Sequence, residues 1–187
     1  MLIKVSKRYS NFDINDFFKE KDESLTSIST LELMVKHKCE VHLNLDALTN
    51  LKKFYIYADG ECSLNLIGKA PLEILKMRGV KNCHDIHIHE SSPIKILQLT
   101  ECNLHAIPSW LYKLTKIETL ELQRNKLTDL PIEFEWLKNL KRLNLDNNLF
   151  QDVPRVLANL CELNHLSCDA NEIGQQKLRD FLQLLNS

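Results

Sequence analysis

Residues 97–114 read LQLTECNLHAIPSWLYKL, and the same pattern returns as LELQRNKLTDLPIEFEWL in residues 120–137 and as LNLDNNLFQDVPRVLANL in residues 143–160. The three segments begin 23 residues apart, and their apolar positions coincide. A fixed period of this length is typical of a solenoid, in which each coil packs only against its neighbours. The spacing therefore predicts a repeat protein.

The repeat can be followed in both directions from this stretch. Units defined by their first apolar residue start at residues 28, 51, 72, 94, 117, 140 and 163. We therefore expect one domain over residues 1–187, with about seven repeats over residues 28–173. Residues 1–27 and 174–187 are expected to be helical caps, because the open ends of a solenoid need covers. The first helix would run to about Glu20, with Asn11 or Asp13 as its N-cap.

Two kinds of return segment follow the repeated strands. Early units carry apolar pairs two residues apart, such as Val41 and Leu43, and this alternation is typical of an extended segment. Later units run from a proline to a leucine six residues on, such as Pro108 to Leu114, which suits a short 3₁₀ turn. The outer side of the solenoid should therefore change style along the chain.

One polar position recurs at the end of each strand in the later units. Asn125, Asn148 and Asn171 occupy it, and Cys102 takes the same place one unit earlier. A buried asparagine amide both donates and accepts, so it can satisfy backbone groups where the chain turns. We expect these asparagines to form a structural ladder.

The three quoted segments resemble the leucine-rich repeat proteins, in the form with 23-residue repeats and a Leu-Pro step. The resemblance implies a curved α/β solenoid with a concave parallel β-sheet, short helical or extended convex segments and helical caps at both ends. It also implies a non-enzymatic module that binds a protein partner on its concave face. The family leaves two other roles open, namely a bacterial effector-type adaptor acting in a host cell and a regulatory subunit of an enzyme.

The variable residues between the leucine positions would form the concave face. In the N-terminal half these residues are aromatic, aliphatic and basic, and tyrosine and arginine are favoured interface anchors. The alternative is that they are ordinary solvated strand residues. The predicted partner-binding patch consists of Tyr55, Tyr57, Ile74, Lys76, Arg78, Ile96 and Gln98.

Composition narrows the classes of partner and compartment. The formal net charge is −1, which gives no reason to expect nucleic acid as a partner. No apolar run reaches the length of a spanning helix, and the first 20 residues lack the apolar centre of a signal peptide, so we expect no membrane insertion and a cytoplasmic protein. Export by a route that reads no such signal stays open. The six cysteines should be reduced thiols, and we expect a monomer.

The segment from Cys83 to His89 is the one place that resembles a reactive site. Cys83, His87 and His89 could each donate to a metal ion, but His87 falls on an outward polar position that recurs in other units. Metal binding is therefore the less favoured alternative, and we expect no cofactor. The chain has only four glycines and no glycine-rich phosphate loop, and no Ser/His/Asp set has a catalytic spacing.

Overall fold

The computed structural model describes residues 2–7, 11–13, 25–36, 38–83 and 86–185. These residues form eleven strands, three 3₁₀ helices and one α-helix. The strands are β1 Leu2–Lys7, β2 Asn11–Asp13, β3 Thr30–Lys36, β4 Cys39–Asn44, β5 Lys53–Gly68, β6 Ile74–Asn82, β7 Ile86–Ile88, β8 Ile96–Thr100, β9 Thr119–Glu121, β10 Arg142–Asn144 and β11 His165–Ser167. The helices are η1 Leu25–Ser27, η2 Ile132–Trp136, η3 Arg155–Asn159 and α1 Gln175–Leu185.

A parallel sheet lines the concave side of the solenoid. Its strand order is β1-β3-β5-β6-β8-β9-β10-β11, so each coil adds one strand beside the last. Every described strand pair in it is parallel. Within each strand the leucine positions point inward and the residues between them point outward, since successive side chains alternate. The predicted fold class of a parallel solenoid is confirmed.

The opposite side of the solenoid changes style along the chain, as the return segments predicted. Strands β2 and β4 and the second half of β5 form a second parallel stack, which β7 ends. The later coils replace it with the 3₁₀ helices η2 and η3, each preceded by a proline. Strand β5 runs through both sides, with a register shift between Tyr57 and Cys62 where it rounds the corner.

The close approach of the coils at this corner requires a glycine. Gly79 has a φ of +76°, and a Cβ added to it would collide with the backbone oxygen of Ala58 in the preceding coil. An L side chain rarely adopts this conformation, and here it would also have no space. Gly79 therefore allows β6 to follow β5 around the bend.

One continuous core runs through all coils from Ile28 to Cys168. Its largest fully buried side chains are Phe54, Phe134 and Phe150, and they come from three different coils. A single coil buries too few side chains to offset the backbone entropy of ordering more than twenty residues. Each coil is therefore stable only through its interface with the next.

The asparagines at the recurring polar position bridge neighbouring coils. Asn125 Oδ1 accepts from the backbone N–H groups of Cys102 (3.0 Å) and Leu104 (3.1 Å), while its Nδ2 donates to Leu99 O (2.7 Å) and Leu122 O (2.8 Å). Asn148 bridges the next pair of coils, where its Oδ1 accepts from the N–H of Leu127 and its Nδ2 donates to Leu122 O and Leu145 O. Asn171, which is only half-buried, accepts from the N–H of Phe150 and donates to two carbonyls in the same way. We name these three residues the asparagine ladder.

Cys102 replaces asparagine at the start of this ladder. Its thiol donates to Thr100 O at 3.4 Å and to Met77 O at 3.7 Å, so it reaches its own coil and the preceding one as the asparagines do. Sulfur makes weak hydrogen bonds and offers no strong acceptor. The ladder therefore begins with a weaker member at the point where the early coils give way to the later ones.

The two ends of the chain differ from each other. At the C-terminus α1 packs Leu178 and Phe181 against the last coil, as a helical cap should. At the N-terminus Leu2–Lys7 forms a strand that pairs with β3 in parallel and so adds a strand to the sheet. Because Asn11–Asp13 is extended, Asn11 does not begin a helix. A helix with Asp13 as its N-cap would occupy residues 14–20, which lie outside the described residues.

Candidate functional site: the concave sheet

Strand register places the outward residues of the concave sheet in continuous columns. The middle column contains Tyr55, Lys76, Gln98, Glu121 and Asn144, each the register partner of the next. The column on the C-terminal side of the strands includes Tyr57, Arg78 and Thr100. The column on the N-terminal side includes Ile74 and Ile96. Neighbouring strands in a sheet lie about 4.8 Å apart, so adjacent members of a column can contact one partner together.

The aromatic end of this surface is exposed. Tyr57 is 37% exposed and is the register partner of Met34, which is 46% exposed. Lys76 Nζ lies 5.9 Å from the centroid of the Tyr55 ring, within the range of a cation–π contact. Partial burial raises the pKa of the Tyr55 hydroxyl, with smaller contributions from Tyr57 and Glu32, so it stays a neutral donor. The structure thus brings an amphipathic cluster together here.

The remaining patch residues extend this cluster toward the C-terminal coils. Ile74 and Ile96 are half-buried register partners, and they add apolar surface beside the tyrosines. Gln98 Nε2 donates to Thr100 Oγ1 at 2.9 Å, which fixes the orientation of its amide. The predicted patch is therefore contiguous, although its binding role stays a prediction.

Sequence reasoning missed the partner of Arg78. The Arg78 guanidinium donates through Nε to Glu101 Oε2 (3.0 Å) and through a terminal nitrogen to Glu101 Oε1 (3.3 Å), while Arg124 donates to Glu101 Oε1 at 2.8 Å. Hydrogen bonds from the two arginines hold the pKa of Glu101 below its usual range. The signal was present in the sequence, because residues 78, 101 and 124 are spaced by one repeat.

A second ladder of charges lies at the other edge of the strands. Glu118 pairs with Lys95 at 3.4 Å and with Lys141 at 3.1 Å, again at one-repeat spacing. These lysines lower the pKa of the Glu118 carboxyl. Exposed ion pairs stabilise a protein only slightly. Because these ion pairs lie at both edges of the strands, the charges that remain unpaired for a partner are confined to other positions of the concave sheet.

A polar groove of about 420 Å³ lies at the C-terminal edge of the concave strands. Arg78, Gln98, Gln123 and Asp146 are among its lining residues. Gln123 Oε1 is the one buried side-chain nitrogen or oxygen among the described residues that has no hydrogen-bond partner. Buried acceptors are normally paired, so this oxygen is an exception in the polar network of the sheet.

The three candidate metal ligands lie in different environments, one in the core and two at the surface. Cys83 is buried in the core, its carbonyl accepts from Trp110 Nε1 at 2.7 Å, and its thiol contacts that of Cys102. His87 is exposed, and His89 Nδ1 lies 2.8 Å from Ser91 Oγ. Within the part of the chain that the structure describes, no group of three or more histidine, cysteine or acidic side chains converges as a metal site would require.

Two register-paired cysteines line a groove but are not suited to nucleophilic chemistry. All six are free, and only Cys161 is exposed. Cys39 and Cys62 are register partners that line a groove of about 660 Å³. Burial raises the pKa of the Cys62 thiol to about 12, and burial also raises that of Cys39. Because the thiolate is the reactive form, these two thiols are poor nucleophiles near neutral pH.

Comparisons with known proteins agree with this geometry. Residues 92–150 match the family model described as leucine rich repeat. Residues 92–150 therefore carry leucine-rich repeats. The matched residues include two of the three segments quoted first, and the parallel coils extend the same architecture to both sides of them. The comparison with curated proteins gave no match.

Three solved structures match most of this chain. The TLR13–ssRNA13 complex matches with a TM-score of 0.62 at 17% identity, over 90% of this chain and 28% of that one. A leucine-rich repeat protein of Leptospira interrogans matches with a TM-score of 0.49 at 18% identity, over 86% and 54%. An internalin of Listeria monocytogenes matches with a TM-score of 0.39 at 18% identity, over 83% and 66%. This chain thus spans about half the length of the Leptospira protein. At such identities the TLR13 likeness shows the fold alone.

Leucine-rich repeats generally serve as protein-interaction modules, and proteins of this kind are typically not enzymes. Among the described residues, no helix is long and apolar enough to cross a membrane.

Proposed function

We propose that this leucine-rich repeat protein is a non-enzymatic recognition module that binds a protein partner on its concave sheet. The observation that carries the proposal is the contiguous cluster of Tyr55, Tyr57 and Lys76, which offers aromatic and cationic groups on rigid strands. Aromatic side chains with a polar end are favoured anchors in interfaces. Because the coils share one close-packed core, the sheet can bind with little rearrangement.

A protein partner fits this surface better than a nucleic acid does. Phosphate backbones are bound by clusters of unpaired lysine and arginine, and affinity depends on how many phosphates are neutralised. Here Arg78 and Arg124 already share Glu101, and the chain carries 24 basic against 25 acidic residues. We place the module inside a cell as a monomer, a proposal supported by its six free cysteines.

The proposal is tested by affinity purification with a matched pair of variants. Tyr57→Ala removes an exposed aromatic side chain from the concave sheet, while Trp136→Ala removes one, 49% exposed, from the convex side. We expect Tyr57→Ala to reduce recovery of the partner about tenfold and Trp136→Ala to leave it unchanged. Circular dichroism melts check that both variants fold.

Two results would contradict the concave-face proposal. Full recovery of the partner with folded Tyr57→Ala would show that the tyrosine cluster is ordinary strand surface. Loss of the partner with Trp136→Ala alone would place the interface on the convex side. Separately, release of the partner by nuclease treatment would show that the partner is a nucleic acid and not a protein.

A further inference from the structure

Charge is ordered along two outward columns of the concave sheet from Tyr55 and Tyr57 onward, where Glu32 precedes Tyr55 in the first column. The coil of β6 carries the cations Lys76 and Arg78, and the coil of β8 carries neutral Gln98 and Thr100. The next three coils carry three carboxylates in these columns. They are Glu121, Asp146 and Asp169. From β6 to β11 the surface therefore changes from positive to negative.

The positive end keeps its charge despite an internal ion pair. Glu101 neutralises only one of the two arginines that it binds, so the group of Arg78, Glu101 and Arg124 retains one net positive charge. Lys76 forms no salt bridge among the described residues, and its ammonium lies over the Tyr55 ring. An acidic group of a partner would meet two cations here.

The negative end consists of three carboxylates. Asp146 Oδ1 accepts from Ser167 Oγ (2.6 Å) and from the backbone N–H of Asp169 (2.7 Å), and these neutral donors hold it in place without cancelling its charge. In the described part of the chain, none of Glu121, Asp146 and Asp169 forms a salt bridge with a lysine or arginine. Arg124 lines a groove together with Asp146, and its backbone N–H donates to Asp146 O at 2.9 Å, but its guanidinium donates to Glu101.

The groove beside Asp146 is lined by charges of both signs. Arg78, Glu101 and Arg124 line it together with Asp146. The two arginines already donate to Glu101, whereas the described partners of the Asp146 carboxylate are neutral. A lysine ammonium or an arginine guanidinium of a partner could supply a charged donor to Asp146.

We propose that the partner presents an extended peptide segment with an acidic residue over Lys76 and a basic residue over Asp146. This inference rests on the proposed concave-face function and specifies the partner's chemistry. The two positions are three coils apart, which is about 14 Å at the spacing of parallel strands. An extended chain covers about 3.3–3.6 Å per residue, so the two charged residues should lie about four positions apart in the partner. Apolar residues near the acidic one would contact Tyr55 and Tyr57.

The test selects peptides from a random library displayed on phage, using the immobilised full chain. We expect the enriched peptides to share an acidic and a basic residue about four positions apart. Binding of synthetic copies is then measured against two charge reversals. Glu121→Lys alters a side chain that makes no hydrogen bond with the described residues and should fold, while Glu162→Lys makes the same change on an exposed residue away from the concave sheet. We expect about tenfold weaker binding with Glu121→Lys and no change with Glu162→Lys.

Each other result has a definite meaning. Peptides that require Tyr57 but show no separated charges would overturn the charge inference and leave concave-face binding intact. Peptides that bind Tyr57→Ala and Glu121→Lys as well as the unchanged protein would contradict both proposals. A library without enrichment would also overturn the extended-peptide inference, while the affinity purification tests the proposed function separately.

Discussion

Replacing Asn125 by alanine should remove a large part of the stability of the solenoid. The change leaves the N–H groups of Cys102 and Leu104 and the carbonyls of Leu99 and Leu122 without the amide that now pairs them. Each orphaned buried donor costs roughly 1–2 kcal/mol, and carbonyls cost less because they keep a second lone pair. We expect a loss of about 3 kcal/mol in the free energy of unfolding, measured by urea denaturation with circular dichroism.

The matched control for this experiment is Asn65→Ala, which removes an exposed amide from β5. Its cost should stay within about 0.5 kcal/mol. Asn125→Asp separates the two halves of the amide, because a carboxylate accepts from the two N–H groups but cannot donate to the two carbonyls. A cost below about 0.5 kcal/mol for Asn125→Ala would refute the reasoning, since it would mean that the asparagine ladder carries no energetic weight.

Three further predictions follow from single sites. Gly79→Ala should lower the free energy of unfolding by roughly 3 kcal/mol, because the backbone has a positive φ and the added Cβ would collide with the backbone oxygen of Ala58. The same urea titration measures this loss. An unchanged free energy of unfolding would contradict the geometry. Alkylation of the native protein near neutral pH should label Cys161 first and spare Cys62, because burial raises the pKa of the Cys62 thiol to about 12. Peptide mass spectrometry measures the order of labelling. Labelling of Cys62 before Cys161 would show that the coils open. The pKa of Glu101 is depressed in the folded state, so the stability that its carboxylate contributes is present above its unfolded pKa and is lost as the pH falls through the folded pKa. Glu101→Gln should therefore reduce the decrease in the free energy of unfolding at acidic pH. An unchanged decrease would contradict this assignment.

Repeat spacing determines which charges on the concave sheet are paired and which are left for a partner. A side chain in one coil lies beside the residue one repeat later, so a charge that recurs with the opposite sign is neutralised within the sheet edge. Arg78, Glu101 and Arg124 follow this rule, and so do Lys95, Glu118 and Lys141. The carboxylate of Asp146 does not, because the next coil presents another aspartate at that position. Charge on the concave sheet thus stays unpaired where successive repeats do not alternate in the sign of the charge at one position.

The sequence by itself determined the solenoid, its parallel concave sheet and the change from extended to 3₁₀ segments on the convex side. Each of these depends on contacts between residues one coil apart, and an apolar period records such contacts directly. The same logic predicted the contiguous columns of Tyr55, Lys76 and Gln98, because equal coil lengths align equal positions.

Only the tertiary structure decided the details that depend on how backbones and side chains meet in three dimensions. The strand at Leu2–Lys7 depends on its pairing with β3, and the repeat spacing, which starts at residue 28, did not indicate it. The requirement for Gly79 depends on the approach of Ala58 from another coil. The unpaired oxygen of Gln123 depends on which donors fall within about 3 Å of it, and a linear pattern fixes neighbours by position but not by distance.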